Sequence, residues 1–306
     1  MSHHHHHHHN QSGKNLKIAF FLNLGFTILE FFGGIYVNSV AIMSDAVHDL
    51  GDSLSLGTAW YLDKKSKKGA DDNYSFGYKR FSLLGALINS IVLIGGSVYV
   101  ISEAIGRLFN PQPSDAQGMI VFAIFGVLVN GYAAWKLSSG NSLNEKTVSW
   151  HLMEDVLGWV AVLIVAIVLN FTDNEYLDPA LSILITLYIL YNVILRLKET
   201  LYIFLQGVPK EIKAEKIKND ILKINNIDSL HHTHIWSLEG EHHVFSSHIK
   251  LKDISDFEEL VAIKKQVKAI LKEYHFDHYT IETELDHESC DLLSNEKQEH
   301  EHKKEH

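Results

Sequence analysis

Residues 44–52 of this chain read Ser-Asp-Ala-Val-His-Asp-Leu-Gly-Asp, and residues 151–155 read His-Leu-Met-Glu-Asp. Each stretch lies in a long apolar segment and has a histidine with an aspartate four residues later: His48 and Asp52, and His151 and Asp155. Residues four apart lie one turn apart on one face of a helix. Ionisable side chains inside a membrane are costly and usually face a partner, a cavity or a transport path. Two imidazoles and two carboxylates form the tetrahedral shell that Zn2+ accepts, so the pattern predicts an intramembrane zinc site.

The apolar residues gather into about six runs, each long enough to cross a bilayer as a helix. Of the 306 residues, 46% are hydrophobic, and a soluble protein of this size would have shorter runs. Backbone in lipid must be helical or closed into a barrel, and these runs are too long for strands. We therefore predict an all-α six-helix transmembrane bundle with spans near 16–37, 40–62, 82–109, 118–137, 147–170 and 178–204.

Lysine and arginine are concentrated in every second loop between the predicted spans. The loop after the second span is rich in these cations, whereas the loops at 110–117 and 171–177 contain none, with Arg107 a minor exception nearby. Cytoplasmic loops of membrane proteins carry an excess of Lys and Arg. The distribution predicts that both termini lie in the cytoplasm.

We place the end of the membrane domain at Gly207-Val208-Pro209, because a proline cannot continue a helix interior. Beyond this point the composition becomes polar and charged. Periodicity predicts a helix at 210–224, strands at 229–238 and 242–251, a helix at 256–274 and a strand at 278–285. This αββαβ order is typical of a small α+β domain. We expect four segments: a His-rich polar tail at 1–14, a membrane domain at 15–207, the α+β domain at 208–287 and an acidic, His-containing tail at 288–306. The run His3–His9 is interpreted as a purification tag, with a native metal-gathering tail as the alternative.

The two His-Asp pairs also predict a coupling to protons. A metal binds neutral imidazole and ionised carboxylate, so it competes with protons for the same ligands. A histidine that titrates near neutrality can therefore exchange Zn2+ for a proton when access alternates between the two sides of the membrane. The alternative is that the four residues only make hydrogen bonds between helices.

Several function classes are disfavoured by the sequence. It contains neither a phosphate-binding Gly-x-x-x-x-Gly-Lys-Ser/Thr motif nor a His-Glu-x-x-His motif, so we do not expect an enzyme. The net charge of −10 lies mostly in the C-terminal third and is not the basic patch of a nucleic-acid-binding protein. The single cysteine, Cys290, cannot form an internal disulfide.

Other acidic residues fall inside the predicted spans. Asp45 lies three residues before His48 on nearly the same helix face, so we expect it to orient the imidazole from outside the ligand shell. Asp49 and Glu154 point about 100° away from the ligand faces, which indicates cavity-lining or structural roles. Three more residues, Glu30, Glu103 and Asp178, can be ion-path residues, helix contacts or interface residues, and we favour a structural role for each over one in the path.

The predicted α+β domain is rich in histidine. On paired strands His232, His234 and His248 can share one face, and two carboxylates are available on the last strand. We predict a second, regulatory metal site with His232, His248, Glu282 and Glu284. The alternative is that these histidines lie on a solvent-exposed, polar sheet face.

Five motifs in this order are similar to those of a known family. They are Ser44-Asp45-Ala46-x-His48-x-x-x-Asp52, Ser75-Phe76-Gly77-Tyr78-x-Arg80, His151-x-x-x-Asp155, Asp178-Pro179 and His234-Ile235-Trp236-Ser237. The chain resembles the cation diffusion facilitators, in particular the bacterial zinc/cadmium efflux branch close to the vesicular zinc transporters of eukaryotes. The resemblance covers about 14 to 287.

The resemblance implies six spans in a bacterial inner membrane, cytoplasmic termini, a ferredoxin-like cytoplasmic domain that supports homodimers, and metal export driven by proton antiport. It assigns the transport site to His48, Asp52, His151 and Asp155. Some relatives bind metal in the loop after the second span through an aspartate and two histidines. Here Asp71 is kept, but Tyr74 and Tyr78 stand at the histidine positions, so we expect no site there. The loop at 137–146 lacks the histidines of eukaryotic relatives.

We therefore expect an antiporter that exchanges cytoplasmic Zn2+, or Cd2+, for protons, works as a homodimer in a lipid bilayer and binds no nucleic acid. One alternative is the same fold selective for Mn2+, Fe2+ or Co2+, although two imidazoles favour Zn2+. Another is a membrane-anchored zinc sensor or scaffold that binds without transporting, and a zinc-dependent membrane enzyme is a weaker third.

Overall fold

The protein is described from a computed structural model, which covers residues 9–66, 68–138, 143–172, 174–274, 276–285, 288 and 290. The histidines at 3–8 and the predicted tail beyond Cys290 lie outside the described residues. The chain divides into two compact units, and the division falls between Thr200 and Leu201 near the end of a helix.

In its described residues the first unit has six helices, which confirms the predicted all-α bundle. They are α1 (His9–Tyr36), α2 (Val40–Ser66), α3 (Phe81–Phe109), α4 (Ala116–Ser138), α5 (Leu143–Phe171) and α6 (Leu177–Phe204). Within the described chain, four helical segments are long and apolar enough to cross a membrane: Phe81–Phe109, Ala116–Lys136, Ser149–Phe171 and Leu177–Phe204. Helix α1 has a shorter apolar stretch, Phe20–Tyr36, and α2 carries the acidic motif. The crossing of the membrane by α1 and α2 stays a prediction.

Glycines allow close helix packing around the motif helices. A Cβ atom on Gly51 of α2 would lie 2.5 Å from the Leu93 side chain of α3. On α4, a Cβ atom on Gly126 would lie 2.2 Å from the ring of Trp159, which is fully buried on α5. A larger residue at either position would require the facing side chain to move, because interiors are close-packed.

Asp178 joins the start of α6 to the start of α2. Its carboxylate accepts hydrogen bonds from Ser39 Oγ at 2.5 Å, from the backbone N–H of Val40 at 2.7 Å and from that of Ala41 at 3.3 Å. The first N–H groups of a helix have no partner within the helix, so a carboxylate there satisfies them and favours the helix dipole. Ser44 and Thr186 extend this buried α2–α6 contact with a hydroxyl hydrogen bond of 2.8 Å. Asp178 therefore makes the helix contact that the sequence favoured.

Replacing Asp178 by alanine is expected to destabilise the bundle by roughly 1–3 kcal/mol, because α2 loses its N-terminal cap and Ser39 loses its acceptor. Thermal unfolding of the detergent-solubilised protein measures this loss. Asp178→Asn keeps one acceptor oxygen and should fall between the wild type and the alanine variant. Equal melting temperatures for all three proteins would contradict the capping role.

The second unit contains α7 (Ala214–Leu222), β1 (Ile227–Ser237), β2 (His243–Leu251), α8 (Phe257–Glu273) and β3 (Phe276–Glu284), so the predicted αββαβ order is confirmed. The three strands form one sheet in the order β1-β2-β3, antiparallel between β1 and β2 and parallel between β2 and β3. A parallel pair needs a crossover connection, which α8 provides. Ile217, Phe245 and Leu271 are fully buried in the core between the helices and the sheet.

Strand β1 is irregular in its middle. The pairing with β2 is regular at His231, opposite His248, and again at His234, opposite Ser246, but shifts between them. His232 lies in this bulge with a φ of 46°, a left-handed conformation uncommon for residues other than glycine. The bulge breaks the alternation of side chains along β1, which matters for the histidines of this strand.

Candidate metal centre

The two His-x-x-x-Asp motifs meet where α2 and α5 face each other. His48 Nε2 lies 3.8 Å from Asp52 Oδ2 on its own helix and 3.7 Å from Asp155 Oδ1 on α5. His151 Nε2 lies 2.7 Å from Asp52 Oδ2, which is a hydrogen bond between the two helices. The structure thus brings all four predicted residues together.

The donor set and spacing fit a tetrahedral zinc ion. Zn–N and Zn–O bonds near 2.0 Å put neighbouring ligand atoms about 3.3 Å apart. One ligand atom each from His48, His151 and Asp155 lies within 4.8 Å of the others. Asp52 Oδ2 and His151 Nε2 are joined by a hydrogen bond of 2.7 Å. For both atoms to bind one metal ion, they must move apart by less than about 1 Å, to the spacing of about 3.3 Å between neighbouring zinc ligands.

A cavity of about 390 Å³ opens onto these four side chains. Its apolar wall comes mainly from α6, and polar side chains also face it: Asp45, Asn89, Glu154, Asn192 and Arg196. Exposure differs between the ligands, since Asp155 is 9% exposed and the His151 side chain is 31% exposed. Asp155 is therefore the least exposed of the four side chains.

The remaining acidic residues separate into two groups. Asp45 and Glu154 line the cavity, whereas Glu103 accepts a hydrogen bond at 3.0 Å from Arg107 Nε of its own helix, α3, so its predicted contact with another helix stays a prediction. Among the described residues, His48 Nδ1 is buried without a hydrogen-bond partner, so Asp45 does not bond to it here. The orienting role of Asp45 stays a prediction. Glu30 is fully buried, and sequence reasoning had given it no specific contact.

Two family profiles cover nearly the whole chain. The profile described as "Cation efflux transmembrane domain" matches residues 16–205, and the one described as "Cation efflux protein, cytoplasmic domain" matches residues 209–285. The chain belongs to the cation efflux family. The predicted resemblance to cation diffusion facilitators of the zinc/cadmium branch is therefore confirmed.

Three relatives illustrate the family. The "Cadmium, cobalt and zinc/H(+)-K(+) antiporter" of Bacillus subtilis is 34% identical over 94% of this chain and 93% of its own length. The "Metal cation efflux system protein CzcD" of Cupriavidus metallidurans is 33% identical over 89% of this chain and 86% of its own. The "Zinc transporter ZitB" of Pectobacterium atrosepticum is 30% identical over 95% of this chain and 91% of its own.

This cation efflux protein has a second cluster of ligand-type side chains in its α+β unit. Glu284 Oε1 lies 2.8 Å from His248 Nδ1 and 3.1 Å from His231 Nε2. Cys290 Sγ lies 3.7 Å from His248 Nδ1. One ligand atom each from His231, His248, Glu284 and Cys290 lies within 4.8 Å of the others. Imidazole, carboxylate and thiolate are all zinc ligands.

The four residues predicted for this cluster take different places in it. His248 and Glu284 are central, and Glu282 Oε2 lies 3.3 Å from His248 Nε2 on the exposed side. The ring of His232 packs 5.3 Å from that of His248. His234 does share the face of His248, as predicted, but it lies opposite Ser246, two residues further along β2, and is exposed.

Sequence reasoning missed His231 and Cys290 as members of the cluster. His231 is paired directly with His248, which a correct strand register would have revealed. Cys290 follows the last strand, and no local pattern predicts that it returns to the sheet.

Glu284 links the stability of the α+β unit to pH. Burial alone would raise its pKa, but hydrogen bonds from His248 and His231 outweigh burial and hold the pKa of this carboxyl below its ordinary value of 4.5. The ionised group therefore contributes stability above pH 4.5 that is lost as the pH falls through the lower folded-state pKa.

Glu284→Gln is expected to be less stable than the wild type near neutral pH and less sensitive to acid, because it lacks the carboxylate whose stabilising contribution is lost at low pH. The difference in free energy of unfolding between the wild type and Glu284→Gln should shrink as the pH falls below about 4.5, where Glu284 of the unfolded wild-type chain takes up a proton. Denaturant titrations of metal-free protein at several pH values measure it. A difference that is constant across this range would contradict the role given to the Glu284 carboxylate.

In the loop after α2, four hydrogen-bond donors surround the carboxylate of Asp71. Its two oxygens accept hydrogen bonds from Lys68 Nζ at 2.7 Å, Tyr78 Oη at 2.8 Å, and the backbone N–H groups of Asn73 and Tyr74 at 3.0 Å each. Lys68 above all holds the pKa of Asp71 well below its usual range. A carboxylate has about four acceptor positions, so none is left for a metal. The expectation that this loop binds no zinc stays a prediction. It is supported by the hydrogen bonds that occupy the acceptor positions of Asp71.

Proposed function

We propose that this protein exports Zn2+, and also Cd2+, from the cytoplasm in exchange for protons, with His48, Asp52, His151 and Asp155 as the ligands of the transported ion. The observation that carries the proposal is the meeting of these two imidazoles and two carboxylates at the cavity between α2 and α5. The names of the relatives support it, since they include zinc, cadmium and a proton antiporter.

Proton coupling follows from the chemistry of these ligands. His151 and Asp52 share a hydrogen bond of 2.7 Å, in which a proton lies between the imidazole nitrogen and the carboxylate oxygen. A divalent metal needs the lone pairs of both atoms, so that proton must move away when the metal binds. Protons that return from the other side of the membrane then displace the metal, and the proton gradient drives export.

The proposed setting is a bacterial inner membrane that all six helices of the first unit cross. The cation-rich loop around Lys68 and Arg80 then faces the cytoplasm, and both termini lie on that side. We assign the α+β unit to the cytoplasm, where it supports a homodimer and binds regulatory metal with His248 and Glu284 at the centre of its cluster. Alternating access is a rocking of helices about the midplane site.

The decisive experiment is zinc uptake into proteoliposomes under an imposed pH gradient. In vesicles whose protein has its cytoplasmic side facing outward, export corresponds to zinc uptake into the lumen. We expect this uptake to require an acidic lumen. The lumen should become more alkaline as zinc enters, because protons leave in exchange. Dissipating the gradient with a protonophore should stop the flux. A zinc sensor or scaffold would bind zinc in the same vesicles without any flux, and that result would overturn the proposal.

Metal competition tests the selectivity part of the proposal. Cd2+ and Co2+ deserve inclusion because both occur in the name of the Bacillus subtilis relative. An N2O2 shell with two imidazoles predicts that Zn2+ and Cd2+ compete strongly and that Mn2+ competes weakly. Faster transport of Mn2+ or Fe2+ than of Zn2+ would show that one of those ions, and not Zn2+, is the main substrate.

A further inference from the structure

Arg107 is a charged residue of the membrane helices that the transport site does not use. It lies in the last turn of α3 and is only 8% exposed. Its Nε donates a hydrogen bond to Glu103 of the same helix at 3.0 Å, and its Nη1 donates to the backbone carbonyl of Asn38 at 2.7 Å. Burying a guanidinium is costly unless it is paired, and a charge within a membrane segment usually has a function. The contact with Asn38 therefore needs an explanation beyond the stability of α3 itself.

Asn38 lies in the turn between α1 and α2 and contacts the loop after α3 as well. Its carbonyl accepts a second hydrogen bond from Ser114 Oγ at 3.0 Å, and its Nδ2 donates to the carbonyl of Pro113 at 2.9 Å. Its φ of 54° lies in the left-handed region, which asparagine enters more readily than most residues. We name Asn38, Arg107, Pro113 and Ser114 the outer clasp, because the loop at 110–117 faces outside in the proposed orientation.

The outer clasp connects two groups of helices whose apolar clusters are distinct. Residues of α2, α4 and α5 form one cluster, in which Ala123 and Trp159 are fully buried, whereas Leu93 of α3 packs with Ile189 of α6 in another. The cavity at the metal ligands is lined by α2 and α5 of the first group and by α3 and α6 of the second. At the end of α3 and the start of α6, the outer clasp and the Asp178 cap on α2 join the two groups.

The cavity reaches from the ligands toward the other end of α3. Asn89, which lines it, precedes Arg107 by 18 residues, a rise of about 27 Å along a helix. Between the cavity and the outer clasp, Val40 of α2 packs with Val100 and Ala104 of α3 at 0–1% exposure, and none of the three lines the cavity. A close-packed apolar layer has no room for a hydrated ion. The transport site is therefore closed on the side of the outer clasp.

The geometry points to the outer clasp as the closure of the exit path: its hydrogen bonds join the two helix groups on the outward side of the transport site, and they break when the metal is released. Arg107 is a positioning residue in this step, because it contacts neither the metal nor its ligands. Rocking of the helices about the site separates the groups at this end and parts the apolar layer beneath the clasp. Near the membrane surface the guanidinium can exchange the Asn38 carbonyl for water, which makes the step reversible. The inference rests on the proposed export and orientation, to which it adds the element that closes the outward side.

Thiol labelling tests the closure without requiring transport. Cys290 is the only cysteine of the chain, so Cys290→Ser provides a background in which one introduced thiol is the reporter. Val100→Cys places this thiol in the apolar layer, and a membrane-impermeant maleimide is added to right-side-out membrane vesicles. Labelling should be slow with Arg107 in place and about tenfold or more faster in Arg107→Met, which keeps bulk but loses the donors. Arg107→Lys should fall between them. Equal rates in all three proteins overturn the inference.

Two further cysteine reporters separate opening of the clasp from other changes. Ala123→Cys lies in the cluster of α2, α4 and α5 and should stay protected in Arg107→Met. Its labelling there would show general loosening of the bundle and would overturn the specific role of the clasp. Phe109→Cys, at the end of α3 and 81% exposed, should react from the outer face in every variant. Reaction from the cytoplasmic face alone would put the clasp on the entry side and overturn its role in exit.

Two more variants control for charge and for folding. Lys136→Met removes an exposed cation at the end of α4, outside the clasp, and should leave the labelling of Val100→Cys slow. Fast labelling in this variant would make the effect one of net charge and would overturn the inference. If Arg107→Met does not fold, Ser114→Ala replaces it. This variant removes one of the two hydrogen bonds to the Asn38 carbonyl and should speed labelling about threefold.

Labelling during transport tests whether the outer clasp opens in the working protein. With Arg107 in place, right-side-out vesicles loaded with Zn2+ in a more acidic medium should label Val100→Cys faster than metal-free vesicles, and a protonophore should remove the difference. Zinc flux at an unchanged labelling rate would make the clasp a permanent link and overturn the inference. Failure of the antiporter proposal would appear separately, as wild-type vesicles without gradient-driven flux, and the comparison of Arg107 with Arg107→Met would still decide whether the clasp closes this side.

Discussion

Asp155→Ala is expected to reduce pH-driven zinc flux to the background of empty vesicles, a loss of about 100-fold or more, since even partners outside the ligand shell change metal sites by roughly 10–100-fold. Asp155 is the most buried of the four ligands, and its Oδ1 lies 3.7 Å from His48 Nε2. Removing it leaves a divalent ion with a single carboxylate in a low-dielectric site, where charge neutralisation matters most. Fluorescent zinc indicators in proteoliposomes measure the flux.

The adjacent glutamate offers a matched control for Asp155. Glu154 carries the same charge on the same helix, but its side chain is exposed and points to a neighbouring part of the cavity. Glu154→Gln should keep flux within about threefold of the wild type, because no ligand is lost. Circular dichroism and gel filtration establish that both variants fold. Wild-type flux in Asp155→Ala, or equal losses in both variants, would contradict the ligand assignment.

The helices and the ligand motifs were readable from the sequence because both depend on local spacing. Apolar runs of spanning length mark the helices α3 to α6, and a separation of four residues places His48 with Asp52 on one face of α2 whatever the rest of the fold does. The meeting of α2 and α5 could be inferred only because an isolated ionisable pair in a membrane needs partners. The structure adds the direct hydrogen bond between His151 and Asp52.

Contacts that depend on tertiary geometry were not readable in the same way. Asp178 caps a helix that begins 138 residues earlier in the chain, at Val40, and no local pattern marks such a pair. The register shift at His232 places His231 opposite His248 and His234 opposite Ser246, so His234 shares the face of His248 but lies two β2 residues further along the strand, away from the cluster. Alternation alone predicts side-chain faces only for strands that pair without such a shift.

His48→Asp is expected to keep transport but to change which metals are accepted. The substitution replaces a borderline nitrogen ligand by a hard oxygen ligand, and carboxylate-rich sites suit Mn2+ better than imidazole-rich sites do. His48 Nε2 lies between Asp52 and Asp155, at 3.8 and 3.7 Å, so a carboxylate introduced there would stand beside two others. Three carboxylates attract divalent ions of every kind and discriminate among them less.

The measurement is the ratio of Zn2+ to Mn2+ transport in the same vesicles, which should fall about tenfold or more, equivalent to about 1.4 kcal/mol of selectivity. His48→Asn separates the two causes, because it removes the imidazole without adding charge. It should weaken zinc transport without improving Mn2+ transport. An unchanged Zn2+/Mn2+ ratio in His48→Asp would mean that this imidazole does not contact the transported ion, and selectivity would then have to come from His151 and the cavity wall.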